Sequence, residues 1–189
     1  MAGESGVQVS LGRRIAAFGV DYVVISIYML LLVLVGVTVP SFTRVFETPF
    51  GGQVAGIAVL TLPVMLYFSL WEASRHAATP GKRALGVRVL RSSGERLSLR
   101  ESIARSAVKF IPWELAHTFL WRIPGWPQPE GEIPAWIVAG FVVVWSIVAL
   151  NVVLVLRTKR GQTAYDLAAD SVVVRYASSR RLPDRGTGV

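Results

Sequence analysis

Apolar residues fall along this chain in long unbroken runs, not in the alternating or three-four spacing of elements that face water on one side. The first run is Ile15 to Val39, broken only by Asp21, and it follows a polar start and the pair Arg13-Arg14. As a helix it would span roughly 35 Å, enough to cross a hydrocarbon core of about 30 Å with some tilt. A cleaved signal peptide would have a shorter apolar core, no internal Asp and a small-residue cleavage site, so a membrane helix is the better reading. The second run, Val54 to Trp71, opens after Pro49-Phe50-Gly51-Gly52 and carries no charge before Glu72. Pro63 inside it predicts a kink that a bundle neighbour accommodates. Ala135 to Leu156 is again uncharged and stops at Arg157-Thr158-Lys159-Arg160-Gly161.

Between Ser98 and Trp121 the pattern changes. Ser98-Leu99-Arg100-Glu101 fits a capping box. Leu99, Ile103, Ala107 and Phe110 then recur at helical spacing opposite Glu101, Arg105 and Lys109, which predicts an amphipathic helix lying in the membrane interface. Pro112 is expected to interrupt it. Beyond lies a short, mostly apolar stretch with Glu114 and His117; from Ser106 to Trp121 it reaches only about 24 Å as a helix.

Composition supports the membrane reading. Of 189 residues 52% are hydrophobic and 17% charged, with a mean hydropathy of +0.50, whereas a soluble domain carries about 25% charged residues. The absence of Cys excludes disulfides, thiolate metal sites and Cys nucleophiles. A net charge of +8 in a soluble protein would suggest nucleic acid; here it reads as basic loops on anionic headgroups, with no nucleic-acid partner.

Charge placement sets the topology. Residues 72–109 hold nine Lys/Arg against three acids, and the chain after Leu156 holds seven against three. Residues 40–53 carry only Arg44 and Glu47; residues 122–134 carry Arg122 against Glu130 and Glu132. Basic loops stay in the cytoplasm, so the two basic stretches share one side. That requires four crossings, with both termini cytoplasmic. The expected fold is thus an all-α integral membrane bundle of four transmembrane helices, at about 15–39, 54–71, 106–121 and 135–156, the third short and partly interfacial. A polar segment (1–12) precedes the membrane domain (13–176), and a basic tail (177–189) of disordered composition follows it.

Two cytoplasmic segments read as strands. Leu85 to Leu90 alternates after Gly86, and Ser171 to Tyr176 is β-branched; pairing them would clamp distant parts of the chain together. Thr79-Pro80-Gly81-Lys82-Arg83 lacks the positions of a phosphate-binding loop and reads as a Pro-Gly turn with basic residues toward headgroups. His76 and His117 are the only histidines, in no metal-binding spacing, and no nucleophile motif occurs, so neither enzyme nor cofactor is expected. No internal repeat suggests the inverted halves of a transporter.

Asp21 needs an explanation. An Asp at the centre of a membrane helix costs about 2.5–3.5 kcal/mol, so it should face a partner or water. Arg14 lies two turns back on the same face and Tyr28 two turns on. Direct contact of Arg14 with Asp21 is a stretch, but both can meet a third segment. Asp21 is then either bundle glue or an ion or proton carrier. Asp166, in Thr163-Ala164-Tyr165-Asp166, reads first as a local cap at a helix N-terminus. Lys109, Glu114 and His117 read as lining the wet side of the third span.

Three ordered blocks across residues 12–175 resemble the RDD family of small bacterial membrane proteins, named for one Arg and two Asp. Arg14-Ile15-Ala16-Ala17-Phe18-Gly19-Val20-Asp21 is similar to its opening motif. Thr79 to Val89 is similar to its second block, and Thr163 to Asp170 with Val172-Val173 to its last. Ala164-Tyr165 departs from the Leu-His pair frequent there. The resemblance makes Arg14, Asp21 and Asp166 the signature residues and implies a bacterial cell (inner) membrane location. It also implies one of two roles. In one, the chain transports cations, protons or another small solute through those residues; in the other, it is a non-transporting accessory or assembly subunit. Small size and the lack of repeats favour the accessory role, or a homo-oligomer for the transporter.

Overall fold

A computed structural model describes residues 9–175. The expected polar segment falls largely, and the basic tail and Tyr176 wholly, outside the described residues. Helix α1 (Leu11–Thr38) is followed by a helical turn and a 3-10 turn, then by α2 (Pro49–Ala73), the short α3 (Pro80–Ala84) and β1 (Val87–Arg91). Helices α4 (Leu99–Leu120), α5 (Ala135–Arg157) and the short α6 (Ala164–Ala168) precede β2 (Ser171–Arg175).

Three helices, α1, α2 and α5, are long and apolar enough to cross a membrane. Helix α1 begins at Leu11, earlier than the apolar run suggests, so Asp21 lies about 15 Å from its start. Most of its apolar side chains, Val23, Leu30 and Val37 among them, face outward, as lipid contact requires. Thr48 caps α2, its hydroxyl accepting from Gly51 N–H, with Pro49 at the first position. Before Pro63, residues Ile57–Thr61 widen into a π-turn. A regular helix would have residue 63 donate to the Val59 carbonyl; Pro cannot, and the Tyr28 hydroxyl donates there instead, at 2.5 Å.

Helix α4 corrects the sequence reading twice. It is one continuous helix of 22 residues, about 33 Å long, with Pro112 inside it where an interruption was expected. Its faces are also inverted. Ser102, Arg105 and Ser106 are buried, while Leu99 is 46% exposed and Ala107 faces outward. An interfacial helix would turn Arg105 to solvent; α4 turns it into the bundle. The capping box holds, with Ser98 accepting from Glu101 N–H and Glu101 accepting from Ser98 N–H. Small residues let rings approach. A Cβ at Gly52 would lie 2.7 Å from the Trp121 ring, and one at Gly140 would lie 2.2 Å from Phe119.

The two strands pair as expected, and they do so antiparallel, Val87 opposite Arg175 and Arg91 opposite Ser171. Beneath the sheet, Val87, Val89, Leu97 and Val173 form a small core that also takes in Val9, from before α1. This cap thus gathers three distant stretches of chain.

Candidate functional site

A network of buried charge lies where the helices meet the cap. Asp21, Glu72, Arg105 and Asp166 are at most 2% exposed. Four segments carry them: α1 supplies Arg14 and Asp21, the end of α2 Glu72, the first turns of α4 Arg105, and α6 Asp166.

Asp21 is held entirely by neutral donors. Its Oδ1 accepts from the Tyr67 hydroxyl and the Gly81 N–H, both at 2.8 Å, and its Oδ2 accepts from Thr79 Oγ1 at 2.6 Å. The second family-like block therefore works as a backbone cradle. Thr79 caps α3, Pro80 starts it, and Gly81 brings the chain so close that a Cβ there would lie 2.2 Å from the Ala17 carbonyl oxygen. Lys82 corrects the headgroup-facing reading of this turn, since its ammonium pairs with the buried Glu72 carboxylate.

Asp166 is a hub. Its Oδ1 accepts from Arg105 Nε and Nη2 at 3.0 and 2.7 Å and from Ser171 Oγ at 3.2 Å. Its Oδ2 accepts from Arg14 Nη1 at 3.3 Å and from Thr163 N–H and Oγ1 at 3.1 and 2.8 Å. The local cap is real, because Thr163 Oγ1 accepts from Asp166 N–H in return, yet the same carboxylate ties α6 to α1 and α4. Burial by itself would raise the Asp166 pKa; the Arg105 guanidinium and the Thr163 donors prevail and hold it at about 2. Arg105 bridges onward, Nη1 donating to Glu72 Oε2 at 2.5 Å, with its guanidinium over the Tyr165 ring.

Of the signature residues, Arg14 and Asp166 meet directly, while Asp21 lies apart on the same side of the bundle in a different set of partners. Glu72, Arg105, Thr79 and Gly81 were missed as site residues. One signal was available for Arg105: the small Ser102 and Ser106 flank it on one helical face, the face that can pack closely. Lys109, Glu114 and His117 do not share one wet face. Lys109 lies 3.3 Å from the Phe68 ring centroid. Glu114 accepts from Gln53 Nε2 at 3.1 Å and from the Thr61 hydroxyl, and His117 packs on Trp113. No group of three or more metal-ligating side chains occurs among the described residues.

Beside the network is a cavity of about 390 Å³, bounded by α1, α2, α4 and α5 and reaching the cap. Among its lining residues are Arg14, Asp21, Lys82, Arg105 and Lys109.

The RDD family model matches residues 8–170, and the chain belongs to the RDD family. No curated protein and no solved structure matches it.

Proposed function

We propose that this RDD-family chain is a four-crossing inner-membrane protein of the accessory or assembly type. In it, Arg14, Asp21 and Asp166 fasten a cytoplasmic cap to the helices. The observation that carries this reading is the saturation of the carboxylates. All four oxygens of Asp21 and Asp166 already accept hydrogen bonds from protein donors, and Asp166 also pairs with two guanidiniums. A transported cation would have to displace those donors, leaving them buried and unpaired.

The cap supports the four crossings. Strand β1 follows α2 and β2 follows α5, yet they pair, so the chain must cross an even number of times between them. Helix α5 accounts for one crossing and α4, at 22 residues, is long enough for the other. Val9 sits in the same core before α1, which calls for two crossings between it and β1. The excess of Lys/Arg in residues 72–109 favours the cytoplasm for this side, which would leave residues 40–53 and 122–134 outside.

A second reading, transport of a small solute, draws on the cavity beside Lys109. Flux of cations and pH gradients in proteoliposomes separates the two. The accessory reading expects no flux above empty liposomes, and expects Asp21→Asn to stay folded with a lowered unfolding temperature. It fails if wild-type protein dissipates a cation or proton gradient and a folded Asp21→Asn does not. For topology, a phosphatase active only after export should be silent when fused after Val189; activity there would overturn four crossings.

A further inference from the structure

We propose that the cavity between α1 and α5 binds an anion carrying an apolar tail, with Lys109 and Arg14 holding its headgroup. The charge count points to an anion. Four cations, Arg14, Lys82, Arg105 and Lys109, share the buried network with three carboxylates, Asp21, Glu72 and Asp166. Every carboxylate oxygen already accepts a hydrogen bond from a protein donor, and the first three cations are paired. Lys109 is the surplus. No carboxylate pairs with it among the described residues, and its ammonium rests on the faces of Phe68, Phe18 and Phe110. Arg14 repeats the signal. Only Nη1 reaches Asp166, while Nε and Nη2 are buried without a hydrogen-bond partner. Buried N–H groups of a guanidinium are costly to leave unmade; both atoms are closed to solvent as they stand, so a phosphate or carboxylate oxygen in the cavity satisfies them once the guanidinium turns toward it.

The walls call for the tail. Away from the charges the cavity is lined by Ile15 and Phe18 of α1 and by Val148 and Val152 of α5. All four are exposed on a surface where lipid would lie, so the cavity opens sideways to the bilayer. Its volume of about 390 Å³ falls within the roughly 300–1,000 Å³ of ordinary ligand sites. Asp21 also lines it, but its oxygens are turned to Tyr67, Thr79 and Gly81, so it does not offer a free acceptor. A free inorganic anion would leave the apolar wall unfilled, and an uncharged lipid would leave Lys109 and Arg14 as they are. An anionic phospholipid and a free amphiphilic acid share the required chemistry.

The test uses the full chain in an uncharged detergent, with dodecyl phosphate, dodecanol and inorganic phosphate as probes and the unfolding temperature as readout. Dodecyl phosphate should raise that temperature saturably, at least ten-fold more tightly than either other probe. Lys109→Gln should weaken it ten-fold or more, Lys109→Arg should retain it, and Arg44→Gln, exposed in the turn beyond the far end of α1, should not change it. Val152→Trp, which fills the wall without touching a charge, should also weaken it. Lipid retained by wild-type protein from its own membrane identifies the source, an anionic phospholipid or a free acid, and folded Lys109→Gln should lose it. The proposal is overturned if dodecanol or phosphate alone binds as tightly. It is equally overturned if folded Lys109→Gln or Val152→Trp keeps wild-type affinity.

Discussion

Two polar clusters lie at opposite ends of the α2–α4 pair, and they are built from different chemistry. At the cap end, Glu72, Arg105, Lys82, Asp166 and Arg14 form a chain of ion pairs. At the far end, Glu114 is held by Gln53 and Thr61, Trp113 Nε1 donates to Thr61 Oγ1 at 3.1 Å, and Arg122 Nη1 donates to the Thr118 carbonyl at 2.6 Å. The cap cluster joins segments separated by as many as 152 residues; the far cluster joins two helices that already pack along their length. Ion pairs are thus concentrated where the chain must be gathered from loops, while the carboxylate of Glu114 is held by neutral donors where helix packing does the gathering. Removing a member should cost in proportion to how many segments it ties.

The largest effect is expected at Arg105, which alone bridges Glu72 of α2 to Asp166 of α6. Arg105→Met leaves both carboxylates buried with a cation fewer each, a loss of about 3–5 kcal/mol for a broken buried ion pair. Arg105→Lys should recover little, since one ammonium cannot serve two carboxylates as the guanidinium fork does. Chemical unfolding in detergent measures both. A loss below about 1 kcal/mol for Arg105→Met, the size of an exposed pair, would mean the network is not the fastener.

Much of this arrangement was legible in the sequence, and the part that was not follows one physical rule. The apolar helices, the two strands and the capping box at Ser98 are local patterns, and they stand within a few residues of where those patterns put them, α1 and α2 beginning earlier than their apolar runs. Asp21 stood out because a charge inside an apolar run requires a partner, and Arg14 because it lies two turns back on the same face; Asp166 read as a local cap and joined them through the family resemblance. Arg105 and Lys109 did not stand out, because in α4 they occupy the polar stripe of an amphipathic helix, and periodicity gives the stripe without saying which side faces the bundle. In water the apolar stripe turns inward; in a bilayer the polar one can. Pairing α4 with the neighbour that supplies Glu72 needs tertiary contacts, and a single sequence does not carry them. Gly81 was hidden in the same way, because a Pro-Gly turn looks alike whether it faces headgroups or the Asp21 carboxylate.

A smaller effect, with a definite pH window, is expected at Asp166. Its folded pKa, held at about 2 beneath an ordinary 3.8, means that the folded state prefers the ionised form. The resulting stability is fully present above pH 4 and is lost as pH falls through the folded value. Integrated over that gap it amounts to about 2 kcal/mol. The stability difference between wild type and Asp166→Asn should therefore be constant from pH 7 to 5 and shrink between about 4 and 2. A difference that shrinks already near pH 6 would mean that the guanidiniums do not govern this carboxylate.

The smallest effect belongs to the far cluster and sharpens the contrast most. Glu114→Gln keeps the side chain's length and one carbonyl acceptor, enough for either the Thr61 hydroxyl or the Gln53 amide. The displaced partner is not stranded. The Gln53 amide can reverse to present its oxygen to the N–H of the introduced amide, giving up a long 3.4 Å bond from the exposed Arg122, which keeps the Thr118 carbonyl, and Thr61 still accepts from Trp113. Polar contacts between membrane helices average about 0.6 kcal/mol, with a maximum near 1.7, because the separated helices also find partners. Glu114→Gln should fall in that range, several-fold below Arg105→Met, in the same unfolding measurement. Packing explains why so little depends on it: the Trp121 ring pressed on Gly52 already sets the distance between α2 and α4 at this end. Gly52→Ala should consequently cost more than Glu114→Gln. If the order is reversed, charge fastens the far end too, and the division between the clusters does not hold.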